Sequence, residues 1–208
     1  MKVAFIGRGL DVASTRYRVI LPAMELQKRG WEITKDAPII VYNKGNIDPE
    51  ILKLYAKSVY DICDDNIDCR ERGEEYRSHL RNANAVTCNS DVMRFLVHKK
   101  VGRIATVIPD PYEHDEWAPS WGEGLLWFGH WTNLKDLART GLKATAISNW
   151  ATLPQRAEAN HLDVPRVEWA MAHKSECLER VMACQDYIRH KYSPKRIGDL
   201  WETVLSSI

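Results

Sequence analysis

The chain has 208 residues, of which 45% are hydrophobic and 27% charged, a composition typical of one large or two small globular domains. Its 29 lysines and arginines nearly balance 28 aspartates and glutamates, so the net charge of +1 disfavours capture of nucleic acid by bulk charge. The sequence contains no run of about 18 apolar residues, so no membrane-spanning helix is predicted. The five cysteines form no C-x-x-C pair, which favours free thiols and a cytoplasmic location.

Short apolar runs alternate with amphipathic segments over residues 1–118. Strands are predicted at residues 3–6, 31–34, 39–42, 59–63, 85–88 and 104–108. Helices are predicted at residues 21–29, 49–57, 74–81 and 91–100, the last of them capped by Ser90. Pro22 requires that the first helix either begins near it or kinks there. Such alternation predicts a parallel sheet covered on both faces, and therefore a doubly wound, Rossmann-like α/β domain.

A second βα pattern follows residues 109–124, which are rich in proline, glycine and acidic residues and are typical of a linker. Strands are predicted at residues 125–128, 144–148 and 166–169, and shorter helices at 133–139 and about 153–160. Two long helices then end the chain. In the last one Ser193 caps, Pro194 opens, and apolar residues from Ile197 to Leu205 form a stripe that must pack on another surface.

The first motif with chemical potential is GRGLDVASTRYR, residues 7–18, directly after the first strand. Glycines allow a tight turn with exposed backbone N–H groups, and Arg16 and Arg18 suit a phosphate or a carboxylate. The segment fits an anion site and an ordinary βα turn equally well. Because Val12 breaks the G-x-G-x-x-G spacing, the motif gives little support to a dinucleotide site.

The second motif is YDICDDNID, residues 60–68, at the end of the fourth predicted strand. Carboxyl ends of parallel strands line the ligand crevice, so Asp61, Asp64, Asp65 and Asp68 are well placed to act as a base. A turn-forming acidic loop is the other interpretation. A metal site is disfavoured, because no histidine or cysteine ligands accompany the carboxylates at suitable spacing.

The third motif is WFGHWTN, residues 127–133, the first βα turn of the second domain. Gly129 ends the predicted strand, and His130 lies in the turn that follows. A histidine at this position can contact a phosphate or donate a proton, and it can equally be a solvated surface residue.

The order of these segments resembles bacterial and phage GT-B glycosyltransferases of the family 4 type. The stretch ASTRYRVILPAMELQKRGWE, residues 13–32, is similar to the first helix of that family. YDICDD, ANAVTCNS, VIPDP and LLWFGHWTNL are similar to its successive later motifs. The ending, IRHKYSPKRIGDLWETVL, resembles its closing helix, which returns to the first domain.

The resemblance implies two Rossmann-like domains, 1–118 for the acceptor and 119–208 for the donor. It implies transfer of a sugar from a nucleotide-sugar to a glycan or other hydroxyl acceptor, with no metal or other cofactor. The implied site residues are Gly7 and Gly9 for the donor phosphates, Arg16 and Arg18 as crevice cations, Asp64 and Asp65 as acceptor-side carboxylates, and Gly129 and His130 facing the diphosphate. Asp64, Asp65 and His130 are the catalytic candidates among them.

The second domain departs from the family pattern after residues 164–170. The family continues there through a segment that contacts the donor diphosphate, ribose and sugar, whereas here a helix leads directly to the closing segment. We therefore expect a shortened donor domain. The alternative function is a catalytically inactive module that binds a sugar, a nucleotide or a protein, and a homodimer is a further possibility.

Overall fold

A computed structural model of the chain describes residues 1–7, 12–43, 47–112, 125–129, 143–148, 152–156 and 172–208. The chain divides into two compact units. The first comprises Met1–Asp115 together with Tyr187–Ile208, and the second comprises Glu116–Asp186. The C-terminal segment, including the last helix, therefore groups with the N-terminal part of the chain.

The first unit is built on a six-stranded parallel sheet, in the order β2-β1-β3-β4-β5-β6. Its strands are β1 (Lys2–Ile6), β2 (Glu32–Ile33), β3 (Ile39–Asn43), β4 (Lys57–Ile62), β5 (Ala85–Cys88) and β6 (Thr106–Val107). The predicted α/β class with a parallel, Rossmann-like sheet is confirmed. Because the chain leaves β1 first for β2 and then for β3 on the opposite side, the topological switch point lies between β1 and β3.

Several of the described helices begin at recognisable capping signals. The helices are α1 (Ala13–Thr15), α2 (Leu21–Lys28), α3 (Pro49–Leu52), α4 (Gly73–Asn82) and α5 (Asp91–Val101), followed by α6 (Lys174–Tyr192) and α7 (Pro194–Ser206). The predicted cap Ser90 accepts a hydrogen bond from the Met93 backbone N–H at 3.2 Å, and Ser193 accepts one from Arg196 at 3.3 Å.

A π-helical turn (Arg16–Ile20) joins α1 to α2. The Leu21 N–H bonds to the carbonyl of Arg16, five residues back. Pro22 explains this widening, because its ring clashes with the carbonyl four residues earlier, that of Arg18, and it has no N–H to offer. Helix α2 begins at Leu21, which confirms the expectation that it begins near Pro22, and the wider turn before it carries Arg18.

One helix of the first unit is shorter than predicted. The helix that starts at Pro49 ends at Leu52 instead of reaching residue 57, because Lys57 begins β4 and pairs in register with Ile39. Residues 53–56 form a turn that leads into this strand, so the helix is limited to four residues.

Helices cover both faces of the sheet. We call one face the α4–α5 face, where Tyr76, Leu80, Met93 and Val97 pack against alternate strand residues such as Ile40. The other is the α2–α7 face, where the core comprises Val3, Leu26, Trp31, Ile39, Val41, Val59, Ile108, Ile197, Trp201, Val204 and Leu205. The apolar stripe of α7 is thus buried on the first unit. At Gly198 the helices approach so closely that a Cβ would lie 2.5 Å from Cγ of Glu25.

The second unit has three described strands, β7 (Leu125–Gly129), β8 (Lys143–Ser148) and β9 (Thr152–Arg156). The first two are parallel, as predicted, and β9 runs antiparallel to β8. The prediction of a helix from about residue 153 is wrong, because residues 152–156 form a strand that pairs with β8. Pro154 is tolerated there because β9 is an edge strand of the described sheet. The helix predicted at 133–139 and the strand predicted at 166–169 lie outside the described residues.

No described helix combines the length and the apolar character needed to cross a lipid bilayer.

Candidate functional site

Polar side chains collect at the carboxyl edge of the six-stranded sheet, on the α2–α7 face. Asn43, Asp61 and Thr87 are neighbours on β3, β4 and β5, since Asn43 pairs in register with Asp61 and Asp61 with Thr87. They are 4%, 0% and 0% exposed. We call these three residues the polar row. Carboxyl ends of parallel strands are where α/β sheets of this type bind ligands.

Arg18 of the π-helical turn is held against the middle of the polar row. Its Nε and Nη2 donate to the two carboxylate oxygens of Asp61 at 2.8 and 2.5 Å, and Thr87 Oγ1 donates to the same carboxylate at 2.6 Å. Nη1 donates to the Ile108 carbonyl and, at 3.2 Å, to Asp110. Burial lowers the pKa of Arg18, but the charge and hydrogen bonds of Asp61 together with the charge of Asp110 outweigh burial, so the net pKa is raised.

These hydrogen bonds limit the ability of Arg18 to bind a ligand at the carboxyl edge of the sheet. The residue is 1% exposed, and its guanidinium is engaged by groups of β4 and of the segment after β6. A phosphate would reach Arg18 only by displacing one of these partners. Arg18 therefore ties the π-helical turn to the ends of β4 and β6, and its predicted contact with a donor phosphate stays a prediction.

Asp110 is the partly exposed carboxylate of this network. It follows β6, at the same edge, and its Oδ1 accepts from Arg18. Burial raises the pKa of Asp110, although the charge of Arg18 acts in the opposite direction. A carboxyl group with a raised pKa at a crevice is suited to take up a proton. Its signal in the sequence was the VIPDP segment, whose aspartate was not singled out.

Gly7 lets the helical segment approach the end of β1. A Cβ at this position would lie 2.9 Å from Cγ2 of Val19 and 3.1 Å from Cγ2 of Thr15. Any other residue would therefore push the α1 and π-helical segment away from the strand end. Arg16, the other predicted cation, is half-buried, and its Cζ lies 5.7 Å from the Tyr17 ring centroid. Gly9 lies outside the described residues.

The predicted acidic pair Asp64–Asp65 lies in the loop after β4. Lys100 of α5 donates to both carboxylate oxygens of Asp65, at 2.9 and 2.8 Å, and its Nζ lies 2.9 Å from Asp68. These hydrogen bonds raise the pKa of Lys100. Asp64 is exposed and accepts a weak hydrogen bond from Cys63 Sγ at 3.6 Å. The structure thus fastens Asp65 to α5 and leaves Asp64 facing solvent.

In the second unit, Gly129 is the last residue of β7 and pairs in register with Ser148. His130 lies outside the described residues. Among the residues that the structure describes, no group of three or more histidine, cysteine, aspartate or glutamate side chains is arranged to hold a metal ion.

The sequence analysis missed Asn43, whose amide nitrogen and oxygen are both buried and have no hydrogen-bond partner among the described residues. The sequence signal for Asn43 is its place as the polar last residue of an otherwise apolar strand, Ile39–Asn43. Buried polar groups are nearly always hydrogen-bonded, so an amide with two unmade bonds at a ligand-binding edge is a functional candidate.

No protein-family model, curated protein or solved structure matches this chain. The arguments for its function are therefore its own side chains and their geometry.

Proposed function

We propose that this chain is a glycosyltransferase-like protein of the GT-B type, family 4, with a shortened C-terminal donor domain. It transfers a sugar from a nucleotide-sugar to an acceptor hydroxyl without a metal cofactor. The observation that carries this proposal is the clustering of the resembling segments. The resembling segments at or after the carboxyl ends of β1, β4, β5 and β6 meet at one edge of a parallel sheet, which is the ligand-binding edge of such folds.

The first unit binds the acceptor in this proposal. The acceptor oxygen attacks the anomeric carbon, its proton passes to a carboxylate, and the bond from that carbon to the nucleoside diphosphate breaks. Asp64 and Asp110 are the carboxylates best suited to take the proton, because Asp64 faces solvent and burial raises the pKa of Asp110. Asp65 supports the loop through Lys100.

The leaving diphosphate carries the negative charge that must be stabilised. Backbone N–H groups near Gly7 and the guanidinium of Arg16 serve this role in the first unit, while Gly129 and His130 stay the candidates that the resemblance implies for the second domain. Charge-assisted hydrogen bonds of this kind are stronger than neutral ones and act most where charge develops.

A binding module without catalysis is the second candidate. Two of the predicted site residues favour it, because Arg18 and Asp65 are both already in ion pairs with protein groups. Fewer charged groups then remain for the chemistry. Such a module keeps the ligand-binding edge and transfers nothing.

A panel of donors separates the two candidates. Thermal unfolding is measured with UDP, GDP, ADP and their glucose or mannose conjugates, since a ligand at 100 times its Kd adds about 2.7 kcal/mol of stability. An enzyme shows a shift together with slow release of the nucleoside diphosphate, measured by chromatography. A shift without release supports the binding module, and no shift with any donor contradicts both nucleotide-dependent candidates.

Arg16→Ala tests the proposed phosphate contact. We expect affinity for the stabilising nucleotide to fall by about tenfold or more, as for the loss of one charge-assisted hydrogen bond, with unfolding of the free protein little changed. The matched control is Lys2→Ala, which removes an exposed cation from the opposite edge of the sheet. Equal nucleotide affinity in the Arg16→Ala and Lys2→Ala variants would remove Arg16 from the site.

A further inference from the structure

Asn43 is buried, and among the described residues it lacks the hydrogen bonds that burial normally demands. It is the last residue of β3 and 4% exposed, and neither Nδ2 nor Oδ1 has a partner among the described residues. The residues before it on the same face, Ile39 and Val41, belong to the apolar core. An amide in this position destabilises the free protein unless something pairs with it.

The Arg18–Asp61 ion pair does not explain Asn43. Asp61 lies beside Asn43 in register, but among the described residues its carboxylate accepts hydrogen bonds from Arg18 and Thr87 and none from Asn43. The polar row is thus satisfied at Asp61 and Thr87 and unsatisfied at Asn43. That unsatisfied end is the one nearest to the topological switch point between β1 and β3.

A second unpaired polar group lies close to the same strand ends. Ile6 pairs in register with Tyr42, so Gly7 and Asn43 are the next residues of two neighbouring strands. The close approach at Gly7 is made by Val19 and Thr15, and Ser14, the residue before Thr15, has a buried hydroxyl without a partner among the described residues. An amide and a hydroxyl therefore flank the place where sheets of this topology bind ligands.

We propose that Asn43, assisted by Ser14, binds the vicinal hydroxyl pair of a sugar ring. An asparagine amide offers an acceptor and a donor side by side, and two adjacent hydroxyls match it, one donating to Oδ1 and the other accepting from Nδ2. A phosphate or carboxylate has acceptors only and leaves Oδ1 unpaired. The inference rests on the proposed function and names the ligand chemistry of the first unit, with a hexose acceptor and a nucleotide ribose as its two possible sources.

Asn43→Leu tests whether the amide is unpaired in the free protein, because leucine has nearly the same branched shape without polar atoms. We expect the Tm to rise by about 2 to 6 °C, as when one or two orphaned polar atoms are removed from a protein of this size. The matched control, Thr87→Val, lowers the Tm, since Asp61 then loses a donor. A lower Tm for Asn43→Leu means that protein or water already satisfies the amide, which overturns the proposal.

Binding is measured by saturation-transfer NMR with methyl α-D-mannopyranoside, methyl α-D-glucopyranoside, uridine and 2′-deoxyuridine. We expect at least one vicinal diol to bind the wild type and to lose about tenfold in affinity for Asn43→Leu, the equivalent of two modest hydrogen bonds. Binding of uridine but not 2′-deoxyuridine assigns the site to a ribose, and binding of a hexoside assigns it to an acceptor sugar. The proposal is wrong if no diol binds or if Asn43→Leu binds as well as wild type.

The diol-binding experiment and the donor panel can fail independently of each other. Release of a nucleoside diphosphate without diol binding through Asn43 overturns the diol site and leaves the transferase proposal standing. Diol binding through Asn43 without any effect of nucleotide-sugars keeps the diol site and overturns the transferase.

Discussion

The two faces of the six-stranded sheet bury polar groups in different ways. On the α2–α7 face, Arg18 and Asp61 form a full ion pair within an apolar core. On the α4–α5 face the buried polar groups include Tyr42, Tyr60 and His79, with ring centroids 5.1 Å apart between the tyrosines and 5.2 Å between Tyr60 and His79. Among the residues that the structure describes, the buried ion pair thus lies on one side of the sheet and the buried aromatic polar groups on the other.

This difference indicates where function lies. A buried charge must be paired and hydrogen-bonded, and similar apolar residues would serve stability equally well. Neutral polar groups without a partner among the described residues occur on both faces, as the Tyr60 hydroxyl and the Asn43 amide show, so the faces differ in their charges. Charges retained at the carboxyl edge of the α2–α7 face hold the π-helical turn in place beside the switch point, which is consistent with a site there.

Asp61→Asn is expected to have the largest effect, because it leaves Arg18 buried without its main counter-charge. The free energy of unfolding should fall by about 3–5 kcal/mol, the usual loss when one partner of a buried ion pair is removed. Asp110 cannot compensate fully, since it contacts a single nitrogen of Arg18. Urea denaturation measures the change.

Removing both charges provides the control. Arg18→Met with Asp61→Leu fills the same space without a charge, so this double variant should be more stable than Asp61→Asn. If the double variant loses as much as the two single changes added together, packing is responsible and the charge argument for this face is wrong.

Local signals predicted the framework of the fold but not the polar row. Ser90 and Ser193 cap their helices through bonds to residues three positions ahead, so a short sequence window contains the whole interaction. Arg18 pairs with Asp61, 43 residues away, and with Asp110, 92 residues away, and no window contains both partners. Arg18 was identified as a cation of the crevice, but its burial depends on strands that come later in the chain.

The same limit explains the errors in secondary structure. The predicted helix at residues 49–57 was cut short because Lys57 pairs with Ile39, and residues 152–156 form a strand because they pair with β8. Asn43 was missed for a related reason. Its sequence context indicates only the end of a strand, and the absence of partners is a property of the folded molecule.

His79→Gln tests the aromatic face and should have a smaller effect, visible as a change in pH dependence. Burial lowers the pKa of His79 below its ordinary value of 6.5, although Glu75, with its carboxylate 3.9 Å from Nε2, acts in the opposite direction. The unfolded chain then binds a proton more readily than the folded one. Stability that the neutral imidazole provides above pH 6.5 is therefore lost as the pH falls towards the lowered pKa.

Unfolding free energies measured from pH 8 to pH 5 check this expectation. The wild type should lose stability over this range, and His79→Gln should lose less. Tyr42→Phe is the matched control, because it removes the hydroxyl 3.3 Å from Nδ1 and leaves the imidazole in place. Equal slopes for wild type and His79→Gln would show that this histidine is not the titrating group.

Lys100→Ala should have the smallest effect, since it breaks an ion pair of the same chemical kind as Arg18–Asp61 at the surface. Lys100 is 19% exposed and its partners Asp65 and Asp68 are 38% and 68% exposed, so water and salt screen the attraction. We expect a loss of about 0.2–1 kcal/mol in dilute buffer, shrinking further in about 1 M NaCl. A salt-independent loss as large as that of Asp61→Asn would contradict the contrast between buried and exposed pairs. Because the variant releases Asp65 while the fold persists, a change in sugar transfer without a change in stability would connect the loop after β4 with the chemistry.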